Sequence, residues 1–126
     1  MTKALYSQSM TDGKVQCLLC PHNCIIADKK NGRCRVRKNI DGILYSENYA
    51  SPVAINIDPV EKKPLYHFLP GSKTFSFGCT GCNLCCHFCQ NSSISQISTD
   101  DVETYKMSPS QIVDHAIENS LSLIHI

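Results

Sequence analysis

The sequence predicts an α/β protein: a small cysteine-rich β unit at the N-terminus, then a strand, a cysteine loop, a helix and a second strand. Three observations predict it. Cysteine knuckles and turn residues crowd positions 16–37 and lead into a hairpin signal at Asp41-Gly42. Alternating aromatic and polar residues at 74–78 run directly into a second group of cysteines. A helix start at Ser108-Pro109 is followed by apolar residues at helical spacing and then by an apolar tail. The implied organisation is a lead-in over 1–15, a cysteine-rich region with an ordered proline-rich loop over 16–72, and an incomplete α/β core over 73–126.

Taken in order, residues 1–15 are polar without a clear period, which predicts a flexible lead-in or a frayed helix. Within 16–37, Asn31-Gly32 is a strong turn signal just before Cys34. Cys34-Arg35-Val36-Arg37 and Gly42-Ile43-Leu44-Tyr45-Ser46 flank Asp41-Gly42, a dipeptide suited to a two-residue hairpin turn that needs positive φ. The segment 58–71 carries Pro59, Pro64 and Pro70, which exclude a long helix or a central strand and predict an ordered connecting loop. Thr74-Phe75-Ser76-Phe77-Gly78 reads as a short strand. Ser108 can cap a helix, Pro109 suits its first position, and Gln111 sits where a capping-box partner reaches back. Ile112, Val113, Ala116 and Ile117 continue at helical spacing, and Leu121-Ser122-Leu123-Ile124-His125-Ile126 reads as the second strand. One βα unit and the start of another result.

A formal charge of +1 and 18% charged residues supply neither a basic surface for phosphate backbones nor an acidic tail, so nucleic acid is not the expected partner. No apolar run reaches the roughly 18 residues of a membrane span, and the first residues lack the apolar stretch of a secretory signal. A cytoplasmic protein is expected. Nine cysteines are then the anomaly: a reducing compartment does not keep structural disulfides, and an odd number cannot pair completely. They fall into two groups, Cys17, Cys20, Cys24 and Cys34, and Cys79, Cys82, Cys85, Cys86 and Cys89, which implies two thiolate sites.

The second group contains a single C-x3-C-x2-C, formed by Cys82, Cys86 and Cys89. Three thiolates bind three corners of a 4Fe-4S cube, where the closed form takes four. One iron is left open to a chelating ligand such as the amino and carboxylate groups of S-adenosylmethionine, whose radical chemistry pairs with iron–sulfur centres. A competing reading exists: Cys79, Cys82, Cys85 and Cys89 also spell the C-x2-C-x2-C-x3-C run of bacterial ferredoxins, which would make the chain an electron carrier. Against it, Gln90 stands where that run has proline, and the first group supplies no matching second run. Cys79 and Cys85 are then extra thiols, and His87 is given no proton-transfer role.

Cys17-x2-Cys20-x3-Cys24-x9-Cys34 offers four soft ligands on a turn-rich knuckle that suits tetrahedral zinc, and an auxiliary iron–sulfur cluster is equally compatible. His22 is a substitute ligand or a solvent-facing loop residue. Glu61, Lys62, Lys63, Tyr66 and His67 line a substrate entrance or form a solvated loop.

Gly81-Cys82-Asn83-Leu84 with Phe88-Cys89-Gln90-Asn91 resembles the cluster loop of radical S-adenosylmethionine enzymes, in the subgroup that includes pyruvate formate-lyase activating enzymes. A closer resemblance is to the radical SAM enzyme of the AmmeMemoRadiSam system. It is carried by Cys17-Leu18-Leu19-Cys20-Pro21-His22-Asn23-Cys24, by Gly32-Arg33-Cys34-Arg35-Val36-Arg37, by the segment 58–71 and by the cluster loop, in that order over about residues 17–119. The tail from Leu121 departs from that pattern. The resemblance implies a (β/α) barrel whose cluster loop follows the first strand, at 74–78, with Phe88 near the adenine of the cofactor. It also implies reductive cleavage of S-adenosylmethionine to a 5′-deoxyadenosyl radical that abstracts hydrogen. The substrate is a protein glycine or a small molecule, the electron donor a flavodoxin or ferredoxin, and a Memo-like protein a companion. A full barrel takes about 250 residues and one βα unit about 30, so a C-terminally truncated barrel, inactive alone, is expected.

Overall fold

The computed structural model describes the backbone of residues 1–125 and the side chains of residues 1–124. Ile126, the last residue of the expected second strand, lies outside the described residues. The chain forms two compact units, each assembled from separated stretches: Met1–Tyr49 with Thr80–Glu103, and Ala50–Cys79 with Thr104–Ile126. These divisions do not follow the sequential boundary at 72/73, because the cysteine loop after residue 79 folds with the N-terminal knuckle.

The first unit contains strands β1 (Thr2–Lys3), β2 (Ser7–Ser9), β3 (Val15–Cys17), β4 (Ile25–Ile26), β5 (Arg37–Ile40) and β6 (Ile43–Ser46), and one short helix, α1 (Ser92–Ser95). They make two antiparallel three-stranded sheets, in the orders β1-β6-β5 and β2-β3-β4. Asp41 and Gly42 connect β5 to β6 with φ of 51° and 78°, the two positive values that a tight hairpin matching strand twist requires. Residues 1–15, expected as a flexible lead-in, instead pair: Thr2 and Lys3 face Ser46 and Tyr45, and Ser7, Gln8 and Ser9 face Cys17, Gln16 and Val15. The expected first arm of the hairpin also shifts, since Cys34, Arg35 and Val36 form a turn and the strand starts at Arg37.

Ala4, Val15, Cys17, Ile26 and Leu44 are buried together, with Cys24 packed against them. Fully buried Asn39 ties this core to its loops: its Nδ2 donates to the carbonyls of Gly13 and Ile26, each at 2.8 Å, and its Oδ1 accepts from the amide of Gly42 at 3.0 Å. A buried amide satisfied at both ends is favourable, whereas the same group unpaired would cost stability.

The second unit is a three-stranded sheet, β7 (Pro52–Pro59), β8 (Lys73–Cys79) and β9 (Leu123–His125), in that order, with helix α2 (Pro109–Glu118). β7 runs antiparallel to β8 and β9 runs parallel to it, so β8, α2 and β9 form one β-α-β crossover. β8 occupies the segment whose alternation marks a strand. Ser108 caps α2 by accepting from the Gln111 amide, the Gln111 side chain accepts from the Ser108 amide, and Pro109 opens the helix. Phe75, Ile112 and Ala116 are buried with Ile55, Phe77 and Ile124 against them, and the His115 ring stacks on Phe75 at 5.1 Å. Of the expected apolar stripe, Val113 and Ile117 face outward.

The expected proline-rich loop starts later than residue 58, because Asp58 and Pro59 still pair with Thr74 and Lys73. Pro59 is tolerated there at the end of an edge strand. Asp58 then anchors the turn that follows: Lys62 and Lys63 reach its carboxylate at 2.8 and 2.9 Å, and the Ser76 hydroxyl donates to it at 2.9 Å. These contacts hold its carboxyl well below the usual carboxylate range. Glu61 accepts from the Gly71 amide at 2.7 Å. Three of the five residues considered for a substrate entrance are therefore engaged in holding their own loop, while Tyr66 and His67 are exposed.

Candidate metal centre

The first cysteine group is shaped by backbone contacts in its knuckle. Cys17 ends β3 and its amide donates to the Cys24 carbonyl at 2.9 Å, closing the loop between them. Asn23, at φ 43°, makes the reversal inside that loop and donates its amide to Cys20. A second turn follows at Gly32, where the Arg35 amide donates to the Gly32 carbonyl and Arg35 adopts φ 67°. Cys17 is buried, and Cys20, Cys24 and Cys34 are partly exposed. All four line one cavity of about 330 Å³, which Cys82 also reaches.

The second group starts where β8 ends. Cys79 is the last residue of that strand, and burial pushes its thiol pKa up. Thr80 is fully buried, and its carbonyl accepts from Asn48 Nδ2 at 3.1 Å while its hydroxyl meets that of Thr99. Gly81 follows at φ 87°, and a Cβ there would sit 2.5 Å from the Cys34 carbonyl oxygen and 2.6 Å from a Val36 methyl. Only glycine fits both the left-handed backbone and this close approach. The knuckle and the cysteine loop from Thr80 onward thus meet within one compact unit.

Further polar contacts join them. His22 Nε2 lies 2.8 Å from the Asn83 carbonyl, and because a carbonyl only accepts, this nitrogen carries the proton. Arg35 Nη1 donates to Gln96 Oε1 at 3.1 Å, and Gln96 Nε2 donates to the Leu84 carbonyl at 3.0 Å. The same Nε2 donates to the Ser95 hydroxyl at 3.3 Å, which lies 3.4 Å from Cys89 Sγ. Beyond the loop, the Lys38 ammonium bridges the buried Glu47 and the exposed Asp100 at 3.2 and 3.4 Å.

Within the loop, the Leu84 amide donates to Cys82 Sγ at 3.4 Å, and the Cys89 amide donates to the Cys86 carbonyl at 3.3 Å. Cys85 and Cys86 are exposed, Cys82 and Cys89 partly so, and Phe88 is 89% exposed. All nine cysteines are free thiols. By chemistry the donor set fits soft-metal or cluster ligation. By geometry, among the described residues no group of three or more His, Cys, Asp or Glu side chains is arranged to hold a metal ion. His22, read as a substitute ligand or a solvent-facing loop residue, is exposed and uses one ring nitrogen on Asn83, leaving Nδ1 free.

Sequence reasoning missed Arg35, Asn48, Ser95 and Gln96, because nothing in their local pattern distinguishes a loop-bridging polar side chain from a solvated one. Gly81 was the readable signal: a glycine at the start of a cysteine loop marks a backbone position that approaches something closely.

The chain is 42% identical, over 117 residues, to an uncharacterized protein of Methanocaldococcus jannaschii; the match takes in 93% of this chain and 35% of the relative. The chain therefore spans about a third of that protein's length. No protein-family model matches the sequence. No solved structure matches it. Among the described residues, no helix is long and apolar enough to cross a membrane.

Proposed function

We propose that this chain is the cluster-binding segment of a radical S-adenosylmethionine enzyme. The observation that carries the reading is the single C-x3-C-x2-C of Cys82, Cys86 and Cys89, on a loop that continues directly from a strand which is paired in parallel across a helix. Free thiols at all three positions are in keeping with it. A 4Fe-4S cluster bound there would supply the electron for reductive cleavage of S-adenosylmethionine, with one iron left for the cofactor. In this reading Cys82, Cys86 and Cys89 hold the cluster and Phe88, largely exposed, offers its face to the adenine.

The remaining parts of the reading follow from resemblance to the AmmeMemoRadiSam radical SAM enzymes. The radical abstracts hydrogen from a protein glycine or a small molecule, a flavodoxin or ferredoxin supplies the electron, and a Memo-like protein is the companion. In this reading the protein is cytoplasmic, where unpaired cysteines persist. Cys17, Cys20, Cys24 and Cys34 line one cavity, and in this reading they converge on zinc or a second cluster when it binds.

The ferredoxin reading is the weaker one on a specific observation. It needs Cys79 as a ligand, and Cys79 is paired within β8 opposite Pro52. Anaerobic reconstitution of single variants tests the choice. Loss of the cluster in Cys82→Ala, Cys86→Ala and Cys89→Ala, its retention in Cys79→Ala and Cys85→Ala, and a change in its electron paramagnetic resonance on adding S-adenosylmethionine are expected. A cluster that survives Cys86→Ala and is lost in Cys79→Ala would establish the carrier instead.

A further inference from the structure

The β3–β4 ladder sets two thiols opposite each other. Val15 pairs with Ile26 and Gln16 with Ile25, so the next step of the same register matches Cys17 with Cys24, and the Cys17 amide donates to the Cys24 carbonyl at 2.9 Å. Opposite residues of an antiparallel ladder share a face. Here that face is the buried one: Val15, Ile26 and Cys17 lie in one core cluster, and Cys24 packs against it. A hydrogen-bonded antiparallel pair holds its Cα atoms about 5.5 Å apart, inside the roughly 4.4–6.8 Å that a disulfide spans. Among the described residues no strand register matches another pair of cysteines.

Both thiols line the cavity of about 330 Å³, a volume that suits a small molecule. Its charge is one-sided: Arg33 and Arg37 line it, and no aspartate or glutamate does. A ligand drawn to it carries negative charge. Among the described residues no three metal-binding side chains gather around one point, so two-sulfur chemistry is what this geometry supports without rearrangement.

We infer that Cys17 and Cys24 are a redox-active dithiol that exchanges with a small anionic disulfide admitted to this cavity. The partly exposed Cys24 sulfur attacks one sulfur of the incoming disulfide, breaking its S–S bond and releasing one thiol. The buried Cys17 sulfur then attacks Cys24 in the mixed disulfide, closes the Cys17–Cys24 bond and releases the second thiol. The protein gives up two electrons and two protons, and the small disulfide takes both. In a reducing compartment such a bond is transient. The exchange needs no metal, so it stands or falls apart from the cluster reading, and it competes with zinc for the same two sulfurs.

The test keeps the full chain anaerobic, before and after treatment with a chelator. It is exposed to oxidised glutathione, whose carboxylates make it anionic, or to cystamine, a cationic disulfide. Thiols are trapped by alkylation at intervals, and each cysteine is read by peptide mass mapping. The first bond to form within the protein is expected to join Cys17 to Cys24. In Cys17→Ala a glutathione adduct should accumulate on Cys24, and in Cys24→Ala the Cys17 thiol should persist. Relative to free cysteine, closure should be roughly ten-fold faster with oxidised glutathione than with cystamine at low salt, and Arg33→Gln with Arg37→Gln should remove that preference.

Closure only after chelation would show that a metal had occupied the same sulfurs, and would still support the dithiol. Persistence of both thiols in the chelated wild type while the exposed Cys85 and Cys86 react would overturn it. So would a first bond from either sulfur to Cys20, Cys34 or Cys82, which line the same cavity. Equal normalised rates with the two disulfides would overturn the anionic class of substrate. Mapping of the wild-type chain needs no substitution, so the result is readable even where a core variant fails to fold.

Discussion

Gly81→Ala is the most informative single substitution, because two separable costs fall on one added methyl group. The first is conformational: at φ 87° an L-residue leaves its preferred regions, which costs about 1–2 kcal/mol. The second is steric: the new Cβ would lie 2.5 Å from the Cys34 carbonyl oxygen and 2.6 and 2.8 Å from the Val36 methyls. The oxygen belongs to the backbone of a tight turn, so relief requires the loop to move, and overpacking of this kind costs about 1–3 kcal/mol. Together about 2–5 kcal/mol is expected, a large part of the roughly 5–15 kcal/mol that holds a typical domain. Gly13→Ala is the control, since Gly13 has φ 69° with nothing within 4 Å of its added Cβ. The chain has no tryptophan, so amide hydrogen exchange is the better assay than fluorescence. Residues 80–95 should exchange roughly 30-fold faster or more in Gly81→Ala, each tenfold corresponding to about 1.4 kcal/mol. Exchange within about two-fold of wild type, or no faster than in Gly13→Ala, would refute the contact between the cysteine loop and the knuckle.

If the proposed reading holds, stripping metal from Cys17, Cys20, Cys24 and Cys34 with a chelator should loosen residues up to about 50 without removing a cluster from Cys82, Cys86 and Cys89, as metal analysis beside exchange would show. Asp58→Ala should destabilise the second unit by about 2–4 kcal/mol, since Lys63 is left with little solvent, whereas Lys62→Ala, at a side chain 64% exposed, should cost under about 0.5 kcal/mol; denaturant titration distinguishes them. Because the folded-state pKa of Asp58 is depressed, its contribution is present above the unfolded carboxylate value near 4 and fades as pH falls below it, so wild type should lose stability there and Asp58→Asn should lose less. Asn39→Ala, which leaves the Gly13 and Ile26 carbonyls and the Gly42 amide without their buried partner, should cost about 2–4 kcal/mol and free the N-terminal strands to exchange.

What the sequence by itself determined is local. The Asp41-Gly42 turn, the Ser108 cap with Pro109 and Gln111, and the strand around Phe75 were legible because each depends on the φ preference, hydrogen-bonding reach or alternation of neighbouring residues. The division of nine cysteines into two groups, and the one C-x3-C-x2-C among them, is likewise a matter of spacing along the chain. Strands of two or three residues such as β1, β2 and β4 carry too little alternation to be read, and their partners stand up to about 40 positions away. Lys62 and Lys63 read as residues of a substrate entrance or of a solvated loop, and only the fold places a buried carboxylate between them. Tertiary structure alone decided that the cysteine loop joins the N-terminal knuckle, through Gly81 against Cys34, His22 on Asn83, and Gln96 between Arg35 and Leu84. The physical reason is that a side chain's polar partner is set by where two distant turns come to rest, and no periodicity along the chain encodes that distance.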